Sequence, residues 1–191
     1  MRSLIILLFL SFNATAALYD RGNGLIYDSV SDITWLQDAN YAGTSGYDID
    51  GKMSWTDANT WASNLSFGGA ENWRLPIISS PDPACSIQNG GISYGTGCET
   101  SEFSSLYNMI IASSMFSNIQ TGCYWSGTAA ESAFFSYRFI IGHQGFAGTA
   151  ENFAWAVHDG DIGASPVPLP AGIYLFLLGL VSLGLMRGKS G

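Results

Sequence analysis

Apolar positions follow three regimes along this chain. Leu4 to Phe12 is an almost unbroken apolar run, Ala171 to Met186 is a second, and between them the pattern is that of a folded domain. Leu18-Tyr19-Asp20, Arg21-Gly22-Asn23-Gly24 and Leu25 to Asp28 predict strand, turn and strand, because Asn-Gly tolerates the positive φ of a tight hairpin. Ile33 to Leu36 predicts a short β-branched and aromatic strand. Ser54-Trp55-Thr56-Asp57 opens a helix with a capping-box pattern in which Asp replaces the usual Glu. Ala58, Trp61, Ala62 and Leu65 then recur at helical spacing, and Gly68-Gly69 ends the run. A second helix starts near Ser101-Glu102, with Phe103, Leu106, Tyr107 and Ile110 on one face. From Trp73-Arg74-Leu75-Pro76 to Gly97 the pattern predicts a strand and then a long Gly- and Pro-rich loop. Strands follow at Cys123 to Trp125, Phe134 to Ile141 and Phe153 to Val157. The expected class is α+β, with two short helices and irregular antiparallel strands.

The two apolar runs read as addresses. Residues 1–16 have the pattern of a signal peptide: Arg2, a short apolar stretch, and Ala14-Thr15-Ala16 at the cleavage site. The stretch is about half of the roughly 20 residues that a membrane span needs. Residues 172–186 predict a C-terminal transmembrane helix, entered after the prolines and followed by Arg187 and Lys189, which suit a cytoplasmic end. Val167-Pro168-Leu169-Pro170-Ala171, the apolar helix and the basic tail of residues 165–191 together resemble a PEP-CTERM sorting signal of the VPLPA type. That resemblance implies export in a Gram-negative bacterium, a transient inner-membrane anchor, recognition by an exosortase, and a destination at the cell surface, outer envelope or extracellular matrix. A plain C-terminal anchor is the other reading.

Composition narrows the partners. Hydrophobic residues make up 47% of the 191 and charged residues 12%, against about 25% charged in an average soluble domain. The net charge is −8. Three of the seven basic residues lie in the two terminal segments and all fifteen acids lie between them, so residues 17–164 carry −11. Nucleic acid is not an expected partner, because phosphate binding needs clustered Lys and Arg. Anionic glycans would need a bridging divalent cation.

Gly51 to Ala58, Trp61-Ala62, Leu65, Asn72 to Pro76, Tyr124 to Thr128 and Ala154 to Val157 occur here in the order of motifs of the DUF1566 family. Residues 17–164 resemble that family, also described as the Lcl C-terminal domain after a collagen-like surface adhesin. The resemblance implies a fold like the C-type lectin and formylglycine-generating sulfatase-modifying-factor domains. It brings no catalytic residues with it. The adhesin implies binding of glycan or host matrix for one relative.

Several residues carry candidate chemistry. Trp73 and Arg74 read as a core strand with a paired arginine, or alternatively as an exposed sugar platform. Cys85 and Cys98 bracket a Gly-rich loop whose closure contributes roughly 3 kcal/mol on the chain-entropy model. The resemblance also implies a cysteine pair here. Cys123 is then left over, as a buried inert thiol or an intermolecular partner; nothing around it has the spacing of a catalytic base. His143 and His158 lack any zinc-ligand spacing. Asp48-Ile49-Asp50-Gly51 with Asp57 could share one calcium ion through hard oxygens, as the opening of an EF-hand loop does, and Asp159-Gly160-Asp161 is a weaker version. The resulting expectation is a non-catalytic exported protein that binds exopolysaccharide or another envelope component. A purely structural matrix component is the alternative, and a glycan-processing or sulfatase-maturation-like enzyme the remote one.

Overall fold

The computed structural model describes residues 17–110, 114–130, 133–148 and 150–163. The expected signal peptide (residues 1–16), the expected sorting motif Val167 to Ala171 and the expected apolar helix of residues 172–186 lie outside them. Among the described residues no helix is long and apolar enough to cross a membrane.

The chain runs β1 (Leu18–Gly22), β2 (Leu25–Asp28), β3 (Ile33–Leu36), α1 (Tyr41–Thr44), β4 (Lys52–Met53) and α2 (Trp55–Ser63). It continues β5 (Ile87–Asn89), β6 (Ile92–Tyr94), α3 (Glu102–Ile110), β7 (Tyr124–Ala129), β8 (Phe134–Arg138), β9 (His143–Ala147), β10 (Asn152–Phe153) and β11 (Val157–Asp159). Three sheets result: β1-β2-β3-β11, all antiparallel; β4-β10-β7-β8-β9, in which only the β10–β7 pair is parallel; and the β5–β6 hairpin. The class is α+β as expected, with three short α-helices among the described residues where two were expected in the domain.

The two larger sheets share a core of aromatic rings. Trp35, Trp73, Trp125 and Trp155 are fully buried. Phe103 of α3 enters between the sheets, stacked on Tyr137 at 5.3 Å and packed against Trp35 at 5.6 Å. Indole N–H groups stitch the layers: Trp125 donates to the Met53 carbonyl and Trp155 to that of Leu36. Residues Ala154 to Ala156 are wholly buried and carry the chain from one sheet to the other. This is why the expected strand over Phe153 to Val157 is two strands, β10 and β11, in different sheets.

Other differences have equally local causes. Ser54 does cap α2, its hydroxyl accepting from the Asp57 N–H and meeting the Asp57 carboxylate at 2.7 Å. The helix stops at Ser63, before Gly68-Gly69, because the Asn64 N–H closes onto Thr60 and Ala62. The strand expected over Phe134 to Ile141 ends at Arg138, and residues Phe139–Ile141 form one 3₁₀ turn capped by left-handed Gly142. The β5–β6 hairpin occupies part of the expected loop, turning through Gly90 and Gly91, both at positive φ.

Cys85 and Cys98 form a disulfide that closes the segment containing this hairpin. Replacing both by serine is expected to cost about 3 kcal/mol, the loop-closure contribution of a ring of about this size. A denaturant midpoint measured with and without the pair checks it; an unchanged midpoint would mean that polar contacts alone hold the loop.

Candidate functional site

The segment after Trp73 floors two hollows in the surface of the domain. Arg74 exchanges two backbone hydrogen bonds with Val157 of β11, at 2.9 and 2.8 Å, so alternate residues Trp73 and Leu75 point into the core. Pro76 then accepts from the Gly127 N–H of β7, and Ile78 is held by the Thr128 hydroxyl, which accepts from its N–H and donates to its carbonyl. This staple leaves Ile77 half-exposed between the two large sheets.

Arg74 is committed to structure. Its guanidinium forks onto Glu102 at 2.7 and 2.8 Å and reaches Asp159 with Nε and Nη2. Burial alone would lower its pKa; the carboxylates of Glu102 and Asp159 more than offset this and hold it above the ordinary arginine value. Glu102 Oε2 also accepts the Ile77 N–H at 2.7 Å, so one carboxylate positions both the arginine and the strand segment. Trp73 is 1% exposed, with Phe67 and His158 against its ring. Neither residue offers a free face to a sugar, which corrects the sugar-platform alternative: strand alternation turns the indole inward.

Past Ile78 the chain reaches Asp82, fully buried beside the disulfide. Its carboxylate accepts from the N–H groups of Ala84, Glu99 and Thr100 at 2.7–2.9 Å. Burial would raise its pKa, but these donors overcome that and hold it below the usual aspartate range. The buried Ser93, Gln144 and Ser101 continue the network inward, and Gln88 joins it from the exposed strand β5.

Two hollows open on either side of residues Ile77 to Ser79, and both are lined by Ile77 and Ser79. The first, of about 380 Å³, lies toward the β2–β3 turn and the start of α3. The hydroxyls of Ser31, Ser79 and Ser105 and the carboxylate of Glu99 line it, and no hydrogen bond from these groups to the protein occurs among the described residues. Val30 and Ile77 flank them, 54% and 45% exposed. The second, of about 610 Å³, runs toward the β5–β6 turn and the end of β7, over Pro81, Ile92 and Phe135. The two hollows meet at Ile77 and Ser79 and are together called the trough; hydroxyl, carboxylate and apolar side chains line it.

The remaining candidate residues lie elsewhere, and the structure does not gather them. Asp48 Oδ1 accepts from the N–H groups of Asp50 and Gly51; Asp50 pairs with Lys52; Asp57, in the first turn of α2, accepts from the hydroxyl of the cap Ser54. The carboxylates expected to share calcium thus serve three separate local turns. Among the described residues, the one group of three possible metal ligands within reach of one another is Asp82 with Cys85 and Cys98, whose sulfurs are tied up in the disulfide. Asp159 and Asp161 neutralise Arg74 and Arg21. His143 and His158 sit on different sheets. Cys123 is unpaired and half-buried just before β7. Glu102, Asp82 and the trough serines were not singled out by sequence reasoning; the nearest signal was the start of α3 at Ser101-Glu102.

The sequence model of one family, described as the Lcl C-terminal domain, matches residues 24–158, which run from the turn before β2 into β11. No curated protein and no solved structure matches the chain.

Proposed function

The chain belongs to the Lcl C-terminal domain family, and from that premise we propose that it is an exported, non-catalytic binding domain that holds glycan in the trough around Ile77. Support for the address comes from residues 1–16 and from the PEP-CTERM-like segment 165–191, which suit delivery to the envelope or matrix of a Gram-negative bacterium through an exosortase. The C-type-lectin-like arrangement implied by the family resemblance belongs to the same proposal.

The observation that carries the reading is the trough itself. Free hydroxyls beside half-exposed aliphatic side chains match a polysaccharide, whose hydroxyl rims and C–H faces alternate. Charge refines the ligand. Residues 17–164 carry −11; of their four cations Arg21, Lys52 and Arg74 are ion-paired, and Arg138, which donates to the Thr121 carbonyl, lines neither hollow, so an uncharged or amine-bearing polymer fits better than an acidic one.

The test is retention of the full chain on immobilised uncharged, amine-bearing and carboxylated polysaccharides, in calcium and again in chelator. Retention on the first two, indifferent to chelator, is expected, because the acidic side chains of residues 48–57 are occupied by local turns. Ile77→Asp is expected to weaken it at least about tenfold by placing a charge at the centre of the trough, with no loss of fold at this half-exposed position. Failure to bind any of the three polymers overturns the proposal.

A further inference from the structure

Six indole N–H groups can be followed through the fold, and their fates differ. Trp55, Trp73, Trp125 and Trp155 donate to backbone carbonyls. Trp35 is sealed in the core with its N–H unpartnered. Trp61 alone combines a buried ring, 3% exposed, with an N–H that neither bonds to the protein among the described residues nor is closed off from solvent. Its side chain lines a third hollow of about 350 Å³.

This hollow has walls of a particular chemistry. Tyr41 and Tyr47 line it with Trp61; Tyr47 stands 6.5 Å from the indole, inclined at 53°, and is 56% exposed. Tyr41 is braced edge-on by Phe67 at 4.9 Å. Asn64 and Ser66 complete the rim. The two phenol hydroxyls, the Asn64 amide and the Ser66 hydroxyl, like the Trp61 N–H, make no hydrogen bond to the protein among the described residues.

The loop that presents Tyr47 is pinned before any ligand arrives. Gly46 takes positive φ, the Asp48 N–H bonds the Ala42 carbonyl, and Asp48 Oδ1 receives two further N–H groups. A wall fixed in advance reduces the ordering cost of binding. No cation lines the hollow, so nothing there selects a phosphate or carboxylate. Aromatic faces with uncharged donors and acceptors around them suit a ring with an apolar C–H face and hydroxyl edges. A volume near the lower end of the roughly 300–1,000 Å³ common for small-ligand pockets suits one ring rather than a chain.

We propose that this hollow is a second binding site, distinct from the trough, that takes a single neutral pyranose unit by stacking on Tyr47 and hydrogen bonding to Trp61 Nε1, Asn64 and the tyrosine hydroxyls. It shares no lining residue with the trough, so the two sites stand or fall separately.

The test titrates the full chain with neutral β-1,4-linked hexasaccharides of glucose and of N-acetylglucosamine, followed by tryptophan fluorescence and calorimetry. Saturable binding of at least one, with a change in indole emission, is expected. Tyr47→Ala should weaken it about tenfold or more, and Tyr47→Phe only about twofold. Trp61→Phe keeps a ring and removes the N–H, and should weaken it roughly fivefold, the effect of one neutral hydrogen bond. Should Trp61→Phe lose its fold, Tyr47→Ala decides alone, since that side chain is exposed. Binding unchanged by Tyr47→Ala overturns the proposal, as does no binding of either hexasaccharide. Binding abolished by Ile77→Asp and untouched by Tyr47→Ala overturns it while leaving the trough reading intact.

Discussion

Asp82→Ala is expected to cost on the order of 4 kcal/mol, a large share of the roughly 5–15 kcal/mol that holds a domain folded. The carboxylate is fully buried, and its two oxygens collect the N–H groups of Ala84, Glu99 and Thr100 from two stretches of chain on either side of the β5–β6 hairpin. Alanine would orphan all three donors. Each unmade bond costs about 1–3 kcal/mol; water reaching the exposed ends of Glu99 and Thr100 keeps the total below the full sum. Asn is expected to be intermediate, since one oxygen remains and the new NH₂ faces donors. The lowered pKa sets the sign of the pH effect. Asp82 contributes fully above the unfolded aspartate pKa of about 3.9 and loses its contribution as pH falls through its lower folded value. Denaturant midpoints of both variants at pH 7, and of the wild type from pH 5 downward, measure this. A loss under about 1 kcal/mol in Asp82→Ala would mean that solvent replaces the carboxylate.

This polar knot explains why part of the fold was illegible from sequence. β1–β2, β3 and the start of α3 are held by short-range chemistry: an Asn-Gly turn, a β-branched strand, a helical apolar stripe. All three are visible in a window of ten residues. β5 has every side chain exposed, so no alternation marks it. Its support comes from the disulfide, from Gln88 bound to the Asp82 and Cys85 carbonyls, and from Ser93 beneath. The same holds for the binding surfaces. Ile77 looks like any strand residue until Pro76 and Thr128 turn the segment outward. The freedom of the Trp61 N–H is a matter of which carbonyls lie nearby, and the helical spacing that announces a buried Trp61 is silent on it. The aspartates of residues 48–57 show the opposite ambiguity: the one-residue spacing of Asp48 and Asp50 that suits a cation also suits an Asx turn, and in the structure each carboxylate accepts nearby backbone N–H groups.

Arg74→Met is expected to cost about 3 kcal/mol, most of it through Glu102. Removing the arginine strands a mostly buried carboxylate, 16% exposed, that retains only the Ile77 N–H as a donor. Breaking a fully buried pair costs about 3–5 kcal/mol, and partial exposure puts this one at the lower end. The Asp159 arm should matter little. That carboxylate is 77% exposed, and pairs in solvent contribute about 0–1 kcal/mol. A double-mutant cycle therefore separates the arms: strong coupling between Arg74→Met and Glu102→Gln, and coupling below about 1 kcal/mol with Asp159→Asn. Lysine should not rescue, because one ammonium cannot meet both Glu102 oxygens as the guanidinium fork does. Glu102 also fixes the strand segment that floors the trough, so Arg74→Met should weaken polysaccharide retention at temperatures where the domain is still folded. Equal coupling to both carboxylates would refute the unequal division of labour. Retention that falls only with unfolding would show that the Arg74–Glu102 pair stabilises the domain without shaping the trough.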